Sequence, residues 1–124
     1  MREELRRFLA EEINSPEQLE ILLLLHREAP REWTAQEISQ QVYTVPAAAT
    51  MSAEHLAARG LLAARGTANP LYRYEPRTDE LRARMDELAE AYTADRVGVI
   101  KAVFETPADP LRTFADAFRL RGDR

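Results

Sequence analysis

At 124 residues, with 45% hydrophobic and 31% charged side chains, the chain has the length of one domain and the composition of a globular protein. It carries no cysteine, which excludes disulfides, thiolate metal sites and a cysteine nucleophile and fits a reducing compartment. A net charge of −4 argues against strong indiscriminate binding to nucleic acid.

Residues 2–13 carry Leu5, Phe8, Leu9 and Ile13 on one side, the stripe of an amphipathic helix. Asn14 and Ser15 end it, and Ser15 followed by Pro16 caps a second helix running to about Ala29. That helix holds the unbroken apolar run Ile21 to Leu25. Such a run covers more than one face, so the helix is expected at the centre of the fold. Pro30 ends it. Trp33 precedes Thr34, a cap for a third helix with Ala35, Ile38 and Val42 inward; Trp33 is placed to staple against Ile38. Thr44 or Val45 then caps a fourth helix opened by Pro46, with Ala49, Ala53 and Leu56 on its buried face. Gly60 stands where a left-handed residue closes a helix, and Leu61 follows it. Residues 62–65 and 71–75 flank a Gly/Asn/Pro-containing link and predict a hairpin closed by Pro76. From the Thr78 cap onward, Leu81, Met85, Leu88, Tyr92, Val99 and Val103 approach a heptad seam with Asp95 interrupting it. A continuous helix here would be roughly 40 Å long, whereas Gly98 and the polar residues 93–96 offer a place to split it. After a break at 106–110, Leu111, Phe114, Ala115 and Phe118 mark one more amphipathic helix.

The order from Trp33 to Glu75, two short helices and a hairpin, resembles the winged helix-turn-helix of small bacterial transcription regulators, broadly of the MarR or PadR kind. The resemblance implies a mostly α fold. Residues 15–76 would form the core of three helices and a two-stranded wing, within a single domain 1–124. Residues 1–14 and 78–124 would be flanking helices for dimerisation. It also implies a dimeric DNA-binding regulator, a repressor that occludes a promoter by placing two recognition helices about one DNA turn apart. The helix from Pro46 to Arg59 would enter the major groove, and the wing near residues 66–69 would touch the minor groove or backbone.

On that reading Ala47, Ala48, Thr50, Met51 and His55 face the bases, while Arg59, Arg65 and Arg73 take phosphates. The stretch from Thr44 to Arg77 holds four arginines against two glutamates, leaving −6 for the rest of the chain. The exposed first turns of the recognition helix nevertheless lack the Arg, Asn and Gln that supply most base readout. An adaptor that binds another protein through this helix, or through the Phe114/Phe118 helix, is therefore the alternative. Leu81, Met85, Leu88, Tyr92, Leu111, Phe114 and Phe118 are the expected dimer interface; folding back over the Ile21–Leu25 helix within one chain is the other possibility. An effector pocket, if there is one, belongs near Trp33, Tyr43 or Tyr92.

Two histidines, His26 and His55, lie too far apart in sequence and too short of partners for a zinc site. The paired carboxylates read as solvated helix faces. No phosphate loop or nucleophile motif is present, so no enzyme, metal or cofactor is expected. The longest apolar run is too short to span a bilayer, and residues 1–8 lack a signal core. A cytoplasmic location is the expectation.

Overall fold

Helix starts in this chain are written in side chains. In the computed structural model, which describes residues 2–104, the Ser15 hydroxyl accepts from the Gln18 amide at 3.2 Å and opens α2 (Pro16–Arg27), which follows α1 (Glu3–Glu12). Thr34 and Glu37 form a reciprocal capping box at the head of α3 (Ala35–Gln41), with bonds of 3.1 and 2.9 Å. α4 (Pro46–Ala58) has Val45 at its cap position and no side-chain cap; Pro46 supplies the pre-set φ of a first helical residue. Its far end closes on Gly60, at φ 85°, where the Leu61 and Gly60 amides donate to the Leu56 and Ala57 carbonyls, each at 3.0 Å. This is a Schellman closure, and it satisfies carbonyls the helix would otherwise orphan. A Cβ at Gly60 would also press to 3.3 Å on that of Arg77.

Strands β1 (Leu62–Arg65) and β2 (Leu71–Tyr74) pair antiparallel, Leu62 opposite Tyr74 and Arg65 opposite Leu71. The sheet has a third rung: Trp33 and Tyr72 exchange both backbone bonds at 2.8 Å. Trp33 is thus fastened to β2 as well as lying at the head of α3. The hairpin base is clipped in turn by the Glu75 amide on Leu61 (3.2 Å) and the Arg77 amide on Gly60 (2.7 Å).

Thr78 caps α5 (Asp79–Ala94), accepting from the Leu81 amide at 3.1 Å. The segment from Thr78 to Phe104 is not one helix. Asp95 leaves helical geometry and its carboxylate takes the Gly98 amide at 3.1 Å, starting α6 (Arg96–Phe104). A Cβ on Gly98 would run into that carboxylate. The residue that interrupts the heptad seam is the residue that splits the helix.

One continuous core joins these elements. Leu19, Ile21, Leu22 and Leu25 of α2 lie at its centre, Leu5, Phe8 and Leu9 of α1 on one flank, and Val99 and Val103 of α6 with them. Truncating Leu22 to alanine should cost about 2–5 kcal/mol, the transfer term plus a cavity. Two residues of the expected dimer seam are corrected here. Met85 and Leu88 are fully buried within the single chain, where α5 packs against α1 rather than over the Ile21–Leu25 helix. They have no surface to offer a partner. Leu81 and Tyr92 are half-buried against the same core, and Leu111, Phe114 and Phe118 lie outside the described residues. Glu87, read as solvated, is instead held between Arg2 and Arg84, the latter at 3.0 Å. No helix among the described residues is long and apolar enough to cross a membrane.

Candidate functional site

α4 has three faces with three fates, set by its helical spacing. Ala49, Ala53 and Leu56 are buried in the core. Ser52, His55 and Arg59 fall at i, i+3 and i+7 and turn toward the α1–α2 corner. The Ser52 hydroxyl donates to Glu17 at 3.0 Å, and His55 Nε2 donates to the Glu12 carbonyl at 2.9 Å. Arg59 grips the Glu12 carboxylate with two bonds, of 2.7 and 3.3 Å. His55 and Arg59, expected on the base- and phosphate-facing side, are thereby corrected to the side that fastens α4 to the rest of the chain. Since a carbonyl can only accept, His55 carries its proton on Nε2 in this arrangement.

The third face is the free one. Ala47 and Met51 are exposed there, with Ala48 and Thr50 half-buried beside them. Met51 is 72% exposed, and at the α3–α4 turn Val45 is 61% and Tyr43 94% exposed. Tyr43 is also the one non-glycine residue with positive φ among the described residues, at 58°. A left-handed backbone and an unpacked aromatic ring both cost free energy or gain none in the isolated fold, a combination that points to function. Val45 was not among the expected site residues, and Tyr43 was named only for an effector pocket. The available signal was a bulky aromatic in a break between helices, with no apolar partner at helical spacing.

From Thr34 to Ala58 there is no lysine or arginine, while Glu37 and Glu54 are present and exposed. Beyond Ala58 the cations Arg59, Arg65 and Arg73 are engaged. Arg65 makes a bidentate pair with Glu32 at 2.7 and 2.9 Å. Arg73 lies 3.5 Å from the same carboxylate and also bonds Glu75, its Nε at 2.8 Å. The Arg65 hydrogen bond, helped by the charges of Arg65 and Arg73, holds the Glu32 carboxyl below its ordinary pKa. Pairs this exposed add little to stability, so the arginines are neutralised rather than locked. Arg31 is spent differently, 3.7 Å over the Trp33 ring.

The three aromatic residues expected near an effector do not converge. Trp33 is buried, Tyr43 projects from the turn, and Tyr92 lines a shallow groove of about 210 Å³ with Glu20, Leu24 and Arg27. His26 meets the Tyr74 ring edge-on at 4.9 Å and lies 3.5 Å from Asp86. Among the described residues, no group of three His, Cys, Asp or Glu side chains is placed to hold a metal ion. The sequence matches no protein-family model and no curated protein.

Proposed function

We propose that residues 15–76 form a winged helix-turn-helix, α3 and α4 being its helix pair and β1–β2 its wing, and that the chain is an adaptor docking another protein on the α3–α4 face. The observation that carries this reading is the exposure of Tyr43, Val45 and Met51 on a stretch without a single cation. Aromatic and methionine side chains are enriched in protein interfaces, where they bury much area at little entropic cost. A DNA-reading helix needs positive potential and base-edge donors instead. This face has no Lys or Arg, and the first turns of α4 carry no Arg, Asn or Gln.

A second reading keeps a DNA-binding repressor acting as a homodimer. It is favoured by Arg65, Arg73 and Arg77 around the wing, since phosphates compete readily with carboxylates in exposed pairs. Two measurements on the full chain separate the readings. The first is cross-linking in cells followed by mass spectrometry, comparing wild type, Met51→Glu and the Arg65→Ala/Arg73→Ala double variant. The adaptor reading expects partners that Met51→Glu loses and the arginine variant keeps; no Met51-dependent partner would reject it. The second is anisotropy binding to the gene's own upstream DNA across a salt series. Sequence-selective binding at physiological salt, abolished by the arginine changes, would establish the repressor reading in its place.

A further inference from the structure

At the α1–α2 corner, along the hairpin and on α5, carboxylates are met by arginines. Arg59 holds Glu12, Arg65 and Arg73 hold Glu32, and Arg2 and Arg84 hold Glu87. Around the α3–α4 face they are not. Glu54 stands one turn beyond Met51 on the same exposed stripe of α4, and Glu37 is exposed on α3. Glu17 is brought against α4 by the Ser52 hydroxyl at 3.0 Å, a neutral donor that supplies no counter-charge. Among the described residues, none of these three carboxylates makes an ion pair.

The aromatic rings divide in the same way. Arg31 lies 3.7 Å over Trp33 and Arg96 5.8 Å over Tyr92, whereas no cation among the described residues covers Tyr43. Building on the adaptor reading, we propose that the partner of the α3–α4 face is a basic protein surface, its arginine or lysine side chains set around an apolar cleft that receives Tyr43. A cation brought over that ring gains the quadrupole attraction that Trp33 and Tyr92 already use. Neighbouring cations meet Glu37 and Glu54, which speeds encounter and fixes register more than it adds affinity. Tyr43, Val45 and Met51 supply the affinity, because buried apolar and aromatic anchors dominate an interface. An anionic partner, DNA included, would meet a field of its own sign.

Tyr43→p-benzoylphenylalanine in the full chain, photolysed in cells, links covalently to the protein that the ring meets. The linked partner peptide, read by mass spectrometry, should come from a stretch richer in Lys and Arg than in Asp and Glu. That partner, once produced, should associate with the wild-type chain at a rate that falls as salt rises. Glu54→Lys should slow the association about tenfold, and Glu54→Gln less. The salt series on wild type needs no variant, so it stands even where a replacement perturbs the fold. A neutral or acidic linked stretch, or an association rate indifferent to salt, overturns the inference and leaves the adaptor reading standing. Linkage only to a second copy of the chain, or to no protein, rejects the adaptor reading and the inference with it.

Discussion

At Tyr43 the backbone is left-handed, φ 58°, and the ring is 94% exposed. A Cβ in that region costs about 1–2 kcal/mol. Glycine removes the penalty but returns about 0.4–1 kcal/mol through a freer unfolded chain. Because the ring has almost no packing to lose, Tyr43→Gly should stabilise the fold by about 0.5–1 kcal/mol. For a domain of this size that corresponds to a rise of about 2–6 °C in Tm, measured by far-UV circular dichroism at fixed protein concentration. The same change removes the aromatic anchor of the proposed docking face, so Met51-dependent partners should be lost as stability rises. Tyr43→Ala, which keeps a Cβ, should lose the partners without the gain. A fall in Tm for the glycine variant would mean that the ring packs after all. A rise in Tm with partners retained would place Tyr43 outside the interface.

Removing the carboxylate that gathers the hairpin cations, Glu32→Gln, leaves Arg65 and Arg73 less neutralised; binding to a non-specific duplex should strengthen at low salt and its salt slope steepen by about 1–2. An unchanged slope would show that neither arginine reaches phosphate. Thr34→Ala breaks the capping box and should cost about 1 kcal/mol, read as a lower urea midpoint; no shift would mean α3 is held by its packing alone. The Tyr74 hydroxyl is pushed up to about 12, chiefly by burial and then by the Asp86 charge, against an ordinary value of 10.0. The folded state thus keeps this proton longer than the unfolded one. That share of stability is complete below the unfolded pKa near 10 and is lost as pH rises through about 12. Tyr72 is likewise raised by burial, so phenolate absorbance should show two late-ionising tyrosines, of which Tyr74→Phe removes one; an unchanged late amplitude in the variant would put the shift elsewhere.

What the sequence made legible is what depends on near neighbours. Ser15, Thr34 and Thr78 cap because a hydroxyl three residues ahead of an amide can reach it in any context. Gly60 closes α4 for an equally local reason, and the hairpin register follows from its link. Asp95 stood out as the wrong residue in a seam, and it is where α5 ends. The candidate site was legible only in part, since its decisive contacts join distant residues. His55 and Arg59 share a helix face with Ser52, but nothing local says that Glu12 and Glu17 wait opposite. Arg65 was counted as a free cation because its carboxylate lies at Glu32, on the far side of two helices in sequence. The apolar stripe of Met85 and Leu88 announced that α5 must be covered, without saying by which helix. Periodicity reports a face; it does not name the neighbour.

The fastening of α4 to the α1–α2 corner bears on modularity. Glu12 belongs to α1, and Leu5, Phe8 and Leu9 share the core that positions α4. A fragment cut at Ser15 would strand His55 and Arg59 without their acceptors and open the flank of α2 to water. α3, α4 and the β1–β2 hairpin are therefore not a cassette that can be moved alone between proteins. Whatever recombination or engineering transplants, residues 3–104 must travel together, and the orientation of the α3–α4 face is inherited from a helix that does not belong to it.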